Sequence, residues 1–204
     1  MAITSTTLSA SVHAPIHELN ATLILRMSQA SSLTFKDAFQ LDLYLSLDSV
    51  KKWTNINCVD NFYLAPGEIA THSERINGPV NFVGTFLSTI PFARKYGVFQ
   101  TPLELWINNS SITRIATLVP GLESDFTNYL NANPSNRRIE ELGIGTNEGI
   151  KALYGRNAGF EERHCGLHLG LGGGAKGSHH LDLIFSSGVL ALDGKTIFDG
   201  HFAF

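Results

Sequence analysis

Three residues in this chain have types and spacings suited to holding a metal ion: His168, His180 and Asp182. In GLHLGLG (166–172), side chains alternate between the two sides of an extended strand. Leu167, Leu169 and Leu171 share one side, and His168, Gly170 and Gly172 share the other. In HLDLIF (180–185), Leu181, Leu183 and Phe185 take one side and His180 and Asp182 the other. Both segments thus send aliphatic groups toward a core and present imidazole or carboxylate on the opposite face. If the glycine-rich loop between them makes them neighbours, two imidazoles and a carboxylate converge on one patch. The glycines beside His168 leave that patch open. Two histidines and a carboxylate with free positions suit Fe(II), Zn(II) or Mn(II).

The same alternation picks out two carboxylates upstream. In IEELGIGTN, Leu142 and Ile144 are in the buried phase, so Glu141 faces the other way; in APGEIAT, Glu68 is the outward neighbour of Ile69. A solvated histidine-rich loop and an exposed Glu140–Glu141 pair are the ordinary alternative, and short motifs of this kind do not exclude it. His164, His179 and His201 read as surface or supporting residues, and Cys165 as a small core residue. The loop GLGGGAKGS resembles a phosphate loop only superficially. Its order is Lys176-Gly177-Ser178, and a strand follows rather than a helix whose N-terminal amides would hold an anion.

The elements that must position these residues are mostly strands. LDLYLSL (41–47) alternates strictly, with Leu41, Leu43, Leu45 and Leu47 on one face. VNFVGTF (80–86) and LELWIN (103–108) are further strands, the latter burying Leu103, Leu105 and Ile107. A turn at Asn108-Asn109 leads into the strand of SITRIATL, making a hairpin, and Asp193-Gly194 turns a second hairpin near the C-terminus. A helix is predicted from an N-cap at Ser124 through FTNYLNA, stopped before Pro134, with a shorter helical turn near Lys151. The expected fold is therefore α+β, mainly antiparallel strands with few helices. Residues 1–60 read as a preface, Ser/Thr/Ala-rich over its first half and partly mobile, and residues 61–204 as the metal-binding domain. Phe82, Phe86, Tyr96, Phe99 and Trp106 are candidates either for an aromatic pocket or for plain core.

Composition narrows the function classes. With 204 residues, 43% apolar, 16% charged and a net charge of −3, the chain can bury a sizeable core and offers no basic stripe for nucleic acid. Two cysteines are too few for a disulfide framework, which points to the cytoplasm. Neither a signal peptide nor a membrane-spanning apolar run is visible.

Taken in order, APGEIAT, EELGIGTN, GLHLGLG and HLD resemble the catalytic half of the aminopeptidase T-like metalloenzymes. That superfamily includes the thermophilic-type leucyl aminopeptidases and the 2,5-dihydroxypyridine dioxygenases. The resemblance runs over roughly residues 60–202, and four motifs in sequence order are more specific than any one. It implies a truncated relative, since the preface is shorter than the N-terminal domain of full-length members. In the aminopeptidase branch Glu68, Glu141, His168, His180 and Asp182 would hold two ions. In the dioxygenase branch His168, His180 and Asp182 would hold one iron, with Glu68 and Glu141 as acid/base groups or extra ligands.

Two departures bear on activity. The peptidases carry a catalytic tyrosine seven residues after the first histidine, and here that position is Ala175. The spacer between His168 and His180 is also short, leaving the pocket open or completed by another subunit. The leading expectation is a non-haem Fe(II) oxygenase-like enzyme acting on a small aromatic or peptide-derived substrate. The alternatives are a dinuclear aminopeptidase-like hydrolase using Zn, Co or Mn, and a non-catalytic protein binding a peptide or biosynthetic intermediate. The resemblance also implies a homodimer or a partner subunit, while the charge balance and the lack of a long apolar run give no nucleic-acid or membrane partner.

Overall fold

The computed structural model describes residues 10–47, 52–59, 65–72 and 75–204. The chain opens with helix α1 (Ala10–Gln29), followed by strands β1 (Ser32–Lys36), β2 (Asp42–Ser46), β3 (Thr54–Ile56), β4 (Glu68–Thr71) and β5 (Ile76–Leu87). Helix α2 (Ile90–Tyr96), β6 (Val98–Asn108), β7 (Ser111–Thr117), helix α3 (Leu122–Ala132) and β8 (Ile139–Gly145) come next. The chain closes with β9 (Gly166–Leu171), β10 (Leu181–Phe185), β11 (Val189–Leu192) and β12 (Lys195–Asp199). The fold is α+β, and every strand pairing among the named strands is antiparallel.

One sheet runs in the order β12-β11-β1-β2-β5-β10-β9-β8-β4-β3, and β6 and β7 extend from β5. Long β5 joins the two halves: its start pairs with β2 and its end with β10. Residues of the expected preface are woven into this sheet, since β1 lies between β2 and β11 and β3 pairs with β4. Helix α1 occupies the stretch expected to be partly mobile. Ile16, Asn20, Leu23 and Met27 are buried along one helical stripe, and the polar Asn20 within it hides the pattern.

Several local expectations are corrected. Leu41 precedes β2 and is only half-buried, whereas Leu43, Leu45 and Leu47 are buried as expected. The β6–β7 turn is Asn109-Ser110, both at positive φ (47° and 56°), one residue later than expected. Helix α3 starts at Leu122 behind Gly121 (φ 77°) rather than at Ser124, because Leu122, Phe126, Tyr129 and Leu130 form its buried face. Near Lys151 there is a single turn closed by Ile150 N–H donating to Asn147 O, and no helix. The Asp193-Gly194 hairpin is as expected. Phe82, Phe86 and Phe99 pack edge-on or tilted against one another in the core, and Trp106 lies under the Arg114 guanidinium. Among the described residues, no helix is long and apolar enough to cross a membrane.

Candidate metal centre

Strands β10, β9, β8 and β4 lie side by side and carry the candidate ligands. The register sets each ligand on these strands against a glycine: Glu68 opposite Gly145, His168 opposite Gly143, and both Glu141 and Asp182 opposite Gly170. Directly opposed side chains crowd each other, so a small partner makes room for a large one. A Cβ at Gly143 would fall 1.8 Å from His168 Nε2. One at Gly170 would fall 2.6 Å from His180 Cε1 and 2.9 Å from Glu141 Cβ. The glycines therefore shape the site more than they open it.

Two groups result, each with its donor atoms within 4.8 Å of one another: Glu68–Glu141–His168 and Glu141–His180–Asp182. Glu141 belongs to both. His168, His180 and Asp182, expected as one triad, are divided between the groups. In the first, His168 Nε2 lies 3.2 Å from Glu68 Oε1 and 3.4 Å from Glu141 Oε1. In the second, His180 Nε2 lies 2.6 Å from Asp182 Oδ1. Ser88, held at φ 69°, donates its hydroxyl to Asp182 Oδ2 at 2.7 Å, and Thr89 Oγ1 donates to His180 O.

Alternation predicts an open face, and the structure covers most of it. Glu68, His168 and Asp182 are buried, while the Glu141 and His180 side chains stay 32% and 35% exposed. The cover comes from the segment between β8 and β9, which folds back over the strands and delivers Arg163. Arg163 is itself buried, with Nη1 2.6 Å from Glu68 Oε2 and a second ion pair to Glu162. Sequence reasoning missed Arg163, because FEERHCG reads as a solvated charged loop. Tyr129 was missed as well; its hydroxyl donates to His179 O at 2.7 Å and steadies the glycine loop. Burial holds the Tyr129 phenol protonated well above its ordinary range.

Electrostatics ties the imidazoles to the carboxylates. Burial disfavours a charged His168, but Glu141 and Glu68 outweigh it and raise its pKa to about 10. The hydrogen bond that His180 donates to Asp182 outweighs burial and raises its pKa to about 9. Burial, reinforced by Glu68, pushes Glu162 upward. In the metal-free protein both imidazoles are thus held toward their protonated form. His168 Nε2 is buried without a hydrogen bond although two carboxylates flank it. Two carboxylates facing an imidazole nitrogen without a hydrogen bond form a donor set that fits a divalent transition ion.

The remaining histidines behave differently. His164 is half-buried, and burial lowers its pKa. Cys165 is half-buried rather than core, its thiol pushed up to about 12 by burial. Both line a cleft of about 570 Å³ with His201, to which none of the five candidate ligands contributes.

The fold has counterparts among solved structures. The structure is similar to the 2,5-dihydroxypyridine dioxygenase of Pseudomonas putida KT2440, with a TM-score of 0.68 and 19% identity over 94% of this chain and 59% of that one. It is also similar to wild-type AmpT from Thermus thermophilus, with a TM-score of 0.66 and 16% identity over 96% of this chain and 56% of that one. The fold is the one these two proteins have over their matched lengths. The chain spans little more than half the length of these two relatives. Residues 98–191 match a family described as crocagin biosynthetic protein CgnE/B, a segment that includes Glu141, His168, His180 and Asp182 but not Glu68. No curated protein matches the sequence. The two ligand groups mark the β4–β8–β9–β10 face as the candidate metal centre.

Proposed function

We propose that the chain holds divalent metal at a two-seat centre and uses it on a peptide or peptide-derived compound in a biosynthetic pathway. The observation that carries this reading is Glu141, whose carboxylate belongs to both ligand groups. A carboxylate shared between two sets of donors suits a pair of ions better than the single iron of a facial triad. Glu68 and His168 would hold one ion and His180 and Asp182 the other, with Glu141 between. When bound, such a pair supplies Lewis-acid activation of a water and of a carbonyl oxygen. The chain's own groups set the geometry: Ser88 fixes Asp182, Thr89 fixes the His180 backbone, and half-exposed Glu141 and His180 face the approach from solvent.

A second reading, binding without turnover, is favoured by two observations. Ala175 stands where the resembled peptidases have their catalytic tyrosine, and Arg163 already engages Glu68. The family match to a biosynthetic protein accords with either reading.

Metal analysis of protein purified without chelator and then saturated with Zn²⁺, Co²⁺ or Mn²⁺ tests the proposal. Two ions per chain, both weakened in Glu141→Gln, are expected. One iron per chain would instead support a single-ion oxygenase, and no bound ion would leave the binding reading. Incubation of the loaded protein with short peptides, followed by mass spectrometry, separates turnover from binding.

A further inference from the structure

The two ligand groups differ in their surroundings, and Arg163 marks the difference. Its side chain is buried, its Nη1 sits 2.6 Å from Glu68 Oε2, and its Nε has no hydrogen-bond partner. The fold goes to some length to put it there. Glu161, fully buried, accepts from the backbone N–H groups of Tyr154, Gly155 and Ala158 and so fixes the short helix Glu161–Arg163. Asn147 N–H donates to Arg163 O, and the Asn147 side chain donates to Pro66 O, tying this helix to the approach to β4. Gly145 permits the contact: a Cβ there would lie 1.9 Å from His164 O. The GTN motif is thus the clamp that seats a guanidinium against Glu68. Neither His180 nor Asp182 makes an ion pair with a lysine or arginine among the described residues.

Resting on the two-seat reading above, we propose that Arg163 supplies at Glu68 the positive charge that a second ion would bring. At limiting metal the chain therefore takes one divalent ion, at Glu141–His180–Asp182, and the Glu68–Glu141–His168 seat fills only at higher concentration. A buried cation in contact with a ligand both consumes the carboxylate's charge and repels an incoming ion, with little water to screen either effect.

Titration of the full chain with Mn²⁺ tests this, with free ion followed by electron paramagnetic resonance and heat by calorimetry. Two steps are expected, separated by roughly 10- to 100-fold in affinity, the range over which outer partners of a ligand shift metal binding. Arg163→Met should draw the steps together by tightening the second, and Arg163→Lys should keep them apart. Equal affinities in the wild type overturn the proposal, as does a weaker second step in Arg163→Met, which would make Arg163 an orienting partner of Glu68. Should Arg163→Met not fold, Glu68→Gln and Asp182→Asn decide the matter. The tight ion is expected to survive the first and be lost in the second, and the reverse pattern overturns the assignment. No binding by any of these proteins overturns the metal reading itself and this proposal with it, whereas two equal sites overturn this proposal alone.

Discussion

The Glu68–His168 side of the centre and the His180–Asp182 side are built by the same alternation on neighbouring strands, yet they differ in their surroundings. The first is closed in by Arg163 and lies almost entirely out of water. The second is anchored by hydroxyls, Ser88 on Asp182 and Thr89 on the His180 backbone, and reaches solvent through His180. Strand alternation sets which side chains face together. What then folds over them decides whether the result is a closed ion-pair network or an accessible seat.

The strongest way to break the comparison is to remove an imidazole from each side. In the metal-free protein, His168→Ala leaves buried Glu68 beside part-exposed Glu141 with their shared cation gone. Truncating one partner of a buried ion pair costs about 3–5 kcal/mol. His180→Ala should cost well under half as much, because His180 is part-exposed and Asp182 keeps the Ser88 hydroxyl. Denaturant midpoints for the two variants measure both losses. Equal losses would mean that the closed and open sides do not differ energetically.

Protonation separates the sides more gently, since the rings stay in place. Both imidazoles have pKa values above the ordinary 6.5, His168 at about 10 and His180 at about 9. A raised folded-state pKa stabilises fully below the unfolded value and loses that contribution as pH rises through the folded one. The metal-free protein should therefore become less stable from about pH 7 to 10, with His180 releasing its proton before His168. Metal binding needs deprotonated imidazoles, so the loaded protein should gain stability over the metal-free one across the same range. Thermal melts with and without Zn²⁺ check the crossing trends, and imidazole NMR checks the order. A melting temperature independent of pH in the metal-free protein would remove the ion pairs from the account.

These contrasts also mark how far the sequence could be read. The alternation in GLHLGLG, HLDLIF and EELGIG was visible because one face of each segment is uniformly aliphatic, and that face did become core. The opposite face was misjudged as open because nothing local reports what a distant segment will cover. Arg163 is the sharpest case: in FEERHCG it has no periodic partner, and its burial depends on Glu161 ordering a loop through three backbone donors. Helix α1 was missed for a related reason. Asn20 interrupts its apolar stripe, yet Asn20 is buried to donate to Glu68 O and to accept from Thr146 Oγ1. Polar residues serving the site are the ones that break the patterns by which elements are recognised.

Steric changes at the glycines test the two sides separately. Gly143 and Gly170 have ordinary backbone conformations, so alanine at either is a steric change rather than a backbone one. At Gly143 the new methyl would overlap the His168 ring, with its Nε2, Cε1 and Cδ2 all within 2.5 Å. That ring is buried between two carboxylates and has nowhere to go without losing them. At Gly170 the methyl would meet His180 Cε1 at 2.6 Å, Glu141 Cβ at 2.9 Å and Asp182 Oδ1 at 3.1 Å. Here the closest atom belongs to a half-exposed ring that can swing toward solvent. Overpacking of a tight interior costs about 1–3 kcal/mol. Gly143→Ala should sit at the upper end of that range and weaken the Glu68–Glu141–His168 seat. Gly170→Ala should sit at the lower end and weaken the tight seat at Glu141–His180–Asp182, because the displaced imidazole is one of its donors. Stability and Mn²⁺ titrations on the two variants give four numbers. Should Gly170→Ala prove the more destabilising, His180 is held as firmly as His168, and the open side of the centre is as rigid as the closed one.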